Sequence, residues 1–225
     1  MNIEQARFNM IEQQIRPWHV SDAAVLGLLS TVKREDFVPT AHKGLAFADL
    51  EIPLMGSGDE AVANGQCMLE PRLDARMLQD LAVRRTDTVL EIGAGSGYMA
   101  ALLGSLAQRV VTLEINADLA TMARDNLRYA GIQNVEVRQA DGAKLTAADG
   151  SFDVIALSGS VSEVPHSLLS LLKVGGRLGA IVGEEPMMRA TIVTRTSATE
   201  FSTVQSWDTV APRLQNFPEP SRFKL

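Results

Sequence analysis

The run Val89-Leu90-Glu91-Ile92-Gly93-Ala94-Gly95-Ser96-Gly97-Tyr98 constrains the fold of this chain more tightly than any other segment. An apolar stretch reaches an acid, then three glycines spaced G-x-G-x-G, then a helix-compatible segment from Met99 to Leu106. Glycine lets a backbone turn sharply and lets a ligand approach it closely. Between a strand and a helix, such a loop builds a nucleotide pocket at the strand's carboxyl end. Dinucleotide loops space their glycines G-x-G-x-x-G and face a pyrophosphate with the helix N-terminus. Here the third glycine comes one residue sooner, and Glu91 stands two residues before the first. That pattern suits a ligand with an adenosine and a cationic, non-phosphorylated arm. Ser96 is placed to cap the following helix and to approach that arm, while Tyr98 and Met99 read as helix-packing residues.

The residues that follow extend the pattern. Arg109 to Glu114 reads as a second strand ending in an acid, on the order of 20 residues after the loop, where a carboxylate can accept hydrogen bonds from two ribose hydroxyls. A helix is expected over roughly 117–130, with Leu119, Met122, Ala123 and Leu127 at helical spacing and Gly131 as C-cap. A third strand, Val135 to Gln139, stops at Ala140-Asp141-Gly142. A fourth, Phe152 to Leu157, is followed by Ser158-Gly159-Ser160. An acid at a strand end is by default a solvated residue. Four features in this order weigh against that default for Glu114 and Asp141 together.

The 225 residues suffice for one α/β domain with an accessory region. No apolar run approaches the length of a membrane span, and the first residues lack the apolar core of a signal peptide. A single cysteine, Cys67, excludes an internal disulfide framework, and three scattered histidines give no metal-ligand spacing. The expectation is a cytoplasmic protein without a metal. A net charge of −6, with only short basic clusters such as Lys33-Arg34 and Arg84-Arg85, argues against nucleic acid as partner. The fourth strand also lacks the Asn/Asp-Pro-Pro-aromatic tetrad of adenine amino-methyltransferases.

Three stretches are expected: an N-terminal helical region and substrate loop (1–80), a ligand-binding core (81–214) and a C-terminal tail (215–225). Phe8, Ile11 and Ile15 mark an amphipathic helix ending near Arg16-Pro17. Ser21-Asp22 starts a second, with Val25, Leu26, Leu29 and Val32 on one side. Residues 41–70 show no sustained period and read as a long functional loop, and Pro71 to Leu81 returns to helix. Strands are expected near 177–182, 190–196 and 201–210. The alternation implies a doubly wound, mostly parallel α/β sheet with an antiparallel member among the late strands. The N-terminal helices and loop are expected to cover the carboxyl ends of its strands.

The glycine loop resembles motif I of the S-adenosylmethionine-dependent methyltransferases, whose Rossmann-like sheet has seven strands. A narrower resemblance covers most of the chain. Met10-Ile11, Gln14-Ile15, Val20, Asp22, Val25-Leu26, Val32 and Arg34-Glu35-Asp36-Phe37-Val38-Pro39 resemble the N-terminus of protein-L-isoaspartate O-methyltransferases. Phe47, Asp49, Gly65-Gln66, Pro71, Gly175-Gly176-Arg177-Leu178 and Val182-Gly183 continue the match. The resemblance implies an S-adenosyl-L-methionine pocket built from Glu91, Gly93, Ala94, Gly95, Ser96, Gly97, Glu114, Ile115, Asp141, Gly142 and Ser158, with Asp141-Gly142 at the adenine. It also implies an isoaspartyl-containing protein or peptide as partner. Methylating the extra carboxylate lets a succinimide re-form, which is the route of repair.

Departures from the family pattern cluster where the acceptor sits. The family's Thr-Ile-Ser-Gln-Pro is replaced by Cys67-Met68-Leu69-Glu70-Pro71, so Leu69 stands at the serine whose hydroxyl lies beside the reacting carboxylate. Ser158, Ser160, Gln66 and Cys67 are candidates for the missing donor, with Cys67 favoured as a packing residue. Two other readings stay open: a related methyltransferase acting on a small-molecule hydroxyl or amine, and a non-catalytic protein that binds the cofactor.

Overall fold

The computed structural model describes residues 2–56 and 58–219. Helix α1 (Ile3–Met10) is capped by the Asn2 side chain and runs on through a wider turn at Ile11–Ile15 and a tighter one at Arg16–Trp18. The buried stripe is Arg7, Met10, Ile11 and Ile15, while Phe8, expected on that stripe, is 57% exposed. The reason is electrostatic. The Arg7 guanidinium pairs with Glu35 and lies over the Phe47 ring, which turns Arg7 inward and leaves Phe8 about 100° round the helix, in solvent. Asp22 caps α2 (Ala23–Thr31), accepting the amide hydrogens of Ala24 and Val25, and Val25, Leu26 and Leu29 are buried.

Residues 41–70 are more structured than their lack of period suggests. A two-residue strand β1 (Ile52–Pro53) pairs antiparallel with β2 (Cys67–Met68), and α3 (Gly58–Ala63) lies between them. Elements this short complete no hydrophobic period, so a pattern search passes over them. Helix α4 (Pro71–Leu81) begins with proline at its first position, where no intrahelical amide bond is lost.

The chain then alternates as expected: β3 (Thr88–Ile92), α5 (Tyr98–Leu106), β4 (Arg109–Glu114), α6 (Ala117–Tyr129), β5 (Val135–Gln139), β6 (Phe152–Val161), α7 (His166–Leu169), β7 (Leu172–Glu184), β8 (Met187–Arg195) and β9 (Phe201–Thr209). These strands form one sheet in the order β5-β4-β3-β6-β7-β8-β9. The first five run parallel, β8 is antiparallel to β7, and β9 is antiparallel to β8. Strand β6 extends past Leu157 to Val161, so Ser158-Gly159-Ser160 belongs to the strand rather than the loop after it. Its register against β7 is irregular between Ala156 and Ser160.

Alternate strand residues feed two separate cores. Val89, Val110, Val154 and Ile181 meet α2, α4, α5 and α6 on one face. Leu90, Ile92, Val111, Ile155 and Leu178 meet Leu168, Leu169 and Phe217 on the other. The N-terminal helices join the first of these layers, packing on α4 and α5. They do not cap the strand ends as expected, because their apolar stripes are buried best against another apolar helix. The loop half of that expectation is met, since the segment around Asn64–Cys67 reaches the strand ends. The chain leaves β3 first toward β4 and β5, then returns to β6 on its other side. That reversal opens a crevice beyond the carboxyl ends of β3, β4 and β6.

Candidate active site

Gly93 and Gly95 hold φ of +95° and +51°, a region that favours glycine. The loop is tied to the neighbouring strand, since the amides of Gly93 and Ala94 both donate to the Leu113 carbonyl, at 2.9 and 3.1 Å. A Cβ on Gly93 would lie 3.0 Å from Leu214 Cδ2 and 3.2 Å from the Ser158 carbonyl oxygen, so a larger residue there would be both crowded and strained at this φ. The loop leads into α5 with Gly97 as N-cap, and no side chain caps the helix. Ser96 therefore does not take the capping role expected of it. It lies one residue too early, is buried, and offers its carbonyl to Asn126 Nδ2 at 2.9 Å.

Glu114 ends β4 and is 6% exposed. Its Oε2 accepts the Gly95 amide at 2.9 Å and its Oε1 the Asn116 amide at 3.0 Å. A carboxylate has about four lone-pair sites, so roughly two remain for a diol. Asp141 accepts the Ala143 amide on Oδ1 at 3.0 Å and the Asn216 side-chain amide on Oδ2 at 2.9 Å. Burial acts to raise its pKa, but those bonds and Lys144 outweigh it and hold the carboxyl below the usual range. Asp141 is thus an anionic acceptor at neutral pH.

Gln66, Gly93, Gly95, Glu114, Ile115, Asp141, Gly142 and Ser158 line one cleft. Ala94, Ser96 and Leu69 line a smaller recess that shares Gly93, Gly95, Cys67 and Ser158 with it. Two expected contacts stand off both walls. Gly97 serves the helix start. Glu91 is fully buried beneath the loop, where its Oε1 accepts the Ser158 hydroxyl at 2.7 Å. Burial pushes the Glu91 carboxyl up to about 8, against the pull of the Thr112 and Ser158 hydroxyls. At neutral pH it is mostly uncharged, and any influence on a ligand runs through Ser158.

Residues 5–210 match the model of the protein-L-isoaspartate(D-aspartate) O-methyltransferase (PCMT) family. The chain belongs to this family. A Koribacter versatilis protein-L-isoaspartate O-methyltransferase is 38% identical over 192 residues, 85% of this chain and 82% of the relative. A Methanoculleus marisnigri protein of the same name is 38% identical over 177 residues, 79% of this chain and 77% of the relative. Among solved structures, a Plasmodium falciparum protein assigned to the same activity, in complex with S-adenosyl-L-homocysteine, superposes with a TM-score of 0.77. It covers 96% of this chain and 99% of that one at 19% identity, a likeness of fold. As a family member the chain is a methyltransferase with S-adenosyl-L-methionine as methyl donor. The cleft suits that donor: a glycine loop whose left-handed φ favours residues without a side chain, an acid with spare acceptor sites, and an anionic acceptor beside Gly142.

Leu69, at the position expected to hold the family's serine, is half-buried on the wall of the recess. The candidate donors differ in what they have left to give. Ser158 already spends its hydroxyl hydrogen on Glu91, and Ser160 is fully buried with its hydroxyl on the Ala211 carbonyl at 2.7 Å. The Cys67 thiol is buried and pushed up to about 12, first by burial and then by Glu51, which suits packing rather than reaction. Gln66 reaches the cleft wall with a side-chain amide that makes no hydrogen bond among the described residues. Glu70, whose charge would oppose a carboxylate substrate, is tied to Arg72 at 3.2 Å, and Arg72 also holds Asp49 at 2.7 Å.

The sequence pattern assigns no site role to two groups found here. Arg34 is fully buried and donates to the carbonyls of Ala46 (3.1 Å) and Leu69 (2.7 Å) and to Asp74 Oδ2 (3.3 Å). Asp74, in the recess wall, is pushed up to about 7 by burial although Arg34 draws it down. Its only sequence signal is an acid within an apolar helical face. The second group is Arg213, Leu214, Gln215 and Phe217, which also line the cleft.

Proposed function

We propose that this chain methylates the side carboxylate of isoaspartyl residues in damaged proteins and peptides. The observation that carries this reading is the meeting of the two family elements. The substrate-loop residues Gln66 and Cys67 wall the cofactor cleft, and Cys67 and Leu69 wall the recess that opens from it. When bound, S-adenosyl-L-methionine supplies an activated methyl group on a sulfonium. A carboxylate is already ionised near neutral pH, so the protein has no proton to remove from the acceptor. Its task is alignment, which can be worth roughly 7–11 kcal/mol.

In this reading Gly93 to Ser96 cradle the cofactor's methionine arm. Glu114 and Ile115 hold the ribose, and Asp141 with Gly142 reads the adenine. The side-chain amide of Gln66 donates to the acceptor carboxylate in place of the family's serine. The Leu69 methyl groups shape the recess and Arg34 fixes the Leu69 backbone. Residues 1–80 then shape the acceptor side, 81–214 the cofactor side, and 215–225 form a terminal segment, of which 220–225 lie outside the described residues. A cytoplasmic setting fits an unbridged Cys67. Among the described residues no helix is long and apolar enough to cross a membrane.

One observation favours a second acceptor class, a small amine or hydroxyl compound. Burial raises the Glu51 carboxyl, with further upward pressure from Glu70 and Glu185, and Glu51 in turn acts on the Cys67 thiol in the recess wall. The deciding experiment is methyl transfer from labelled S-adenosyl-L-methionine to a peptide containing isoaspartate, beside its aspartate twin. Selective labelling of the isoaspartyl peptide supports repair. Cofactor binding without such transfer refutes it and redirects the acceptor search to small molecules or to a binding-only role.

A further inference from the structure

The match to the family model ends at residue 210, and the chain beyond it returns to the cofactor cleft. Its anchor is Ser160 in β6. The Ser160 amide donates to the Pro212 carbonyl at 2.7 Å, the Leu214 amide donates to the Ser160 carbonyl at 2.9 Å, and the Ser160 hydroxyl reaches Ala211. From this anchor Leu214 packs over Gly93 and Gly159. Phe217, 7% exposed, enters the core formed by Ile92, Leu113 and Leu157. Gln215 reaches across to the Asn64 carbonyl at 3.4 Å, joining the segment to the substrate loop. Arg213, Leu214, Gln215 and Phe217 all line the cleft. Asn216 is not among its lining residues and gives its amide to Asp141 instead.

We propose that Asn216, on the segment Ala211–Phe217 beside the cleft, is the positioning residue that holds Asp141 toward the adenine of S-adenosyl-L-methionine. Leu214 and Phe217 supply an apolar wall for a flat base. The Asn216 amide donates to one oxygen of Asp141 while the Ala143 amide donates to the other. With an amide on each oxygen and the Lys144 ammonium 3.4 Å from Oδ2, the carboxylate is held in place at the cleft it lines. Asn216 stands at φ +65°, where asparagine is tolerated and most residues are not.

The inference rests on the assignment of Asp141 to the adenine under Proposed function, and the experiment separates the two. Calorimetric titration of S-adenosyl-L-homocysteine is made on the full chain and on N216G, D141A and the double variant, with thermal melts to verify folding. Glycine keeps the left-handed backbone and removes only the amide. Loss of one orienting hydrogen bond, about 1 kcal/mol, predicts a Kd about fivefold higher for N216G. In turnover, KM for the methyl donor rises in the same proportion with kcat at saturation unchanged. On a D141A background N216G should add less than twofold, because Asn216 acts through Asp141. An N216G Kd within twofold of the parent, tighter binding, or additive effects in the double variant would overturn the role of Asn216. Parent-like binding by D141A would instead refute the adenine assignment, and the role of Asn216 with it.

Discussion

Replacing Glu114 by glutamine tests the cofactor cleft at the carboxylate that ties down its glycine loop. The carboxylate takes two backbone amides, Gly95 at 2.9 Å and Asn116 at 3.0 Å, from a position 6% exposed. Glutamine has nearly the same shape but offers one acceptor and one donor group. One amide keeps an oxygen partner, now uncharged, and the other faces an NH2 that cannot accept. A hydrogen bond to a charged group contributes about 1.5–3 kcal/mol, and a buried donor left unpaired costs about 1–3 kcal/mol. Because these overlap, the expected loss is about 2–3 kcal/mol. For a chain of this size that corresponds to a melting midpoint lower by roughly 4–12 °C. The same substitution removes acceptor sites for the ribose diol, so the Kd for S-adenosyl-L-homocysteine should rise by about tenfold or more. Urea denaturation and calorimetric titration on one preparation read both quantities. A stability change under 0.5 kcal/mol together with a Kd within twofold would refute the argument that Glu114 both holds the glycine loop and receives the cofactor.

Other consequences are as direct. Leu69→Ser returns a hydroxyl to the recess and should raise kcat/KM for an isoaspartyl peptide severalfold without changing cofactor affinity, measured by label transfer; a lower value would mean that Leu69 itself shapes this acceptor site. Arg34→Met leaves Asp74 buried without its cation and should cost about 3–5 kcal/mol by urea denaturation near pH 7; a neutral effect would show that Asp74 is already uncharged there. Glu91 titrates at about 8 in the folded chain, above its ordinary 4.5, so the folded state binds the extra proton between those values. Its contribution is fully present below about 4.5 and is lost as pH rises through about 8. Stability of the parent should accordingly fall more steeply than that of Glu91→Gln between pH 5 and 8, and parallel curves would contradict the buried, neutral Glu91.

What was legible beforehand is local in the chain. Strands β3, β4 and β5, helices α4 and α6, and the glycine loop were readable from runs of ten or so residues, because hydrophobic period, an N-cap and a left-handed glycine are properties of neighbours. The late hairpin strands were readable too, for the same reason. The short ribbon and α3 were not, since two- and six-residue elements carry no period. Phe8 was misplaced because the side chain that set the helix's rotation was a charged Arg7, drawn inward by Glu35 twenty-eight residues away.

Taken alone, the sequence determined the sheet, the position of the nucleotide loop and the family, all through short-range pattern. Only the tertiary structure decided how the site's side chains are spent. Ser158 gives its hydroxyl to Glu91 across 67 residues, Asp74 meets Arg34 across 40, and Asp141 is held by Asn216 across 75. No local pattern encodes such partners. Each bond forms because a buried polar group must find a partner wherever the packed strands and loops bring one within reach.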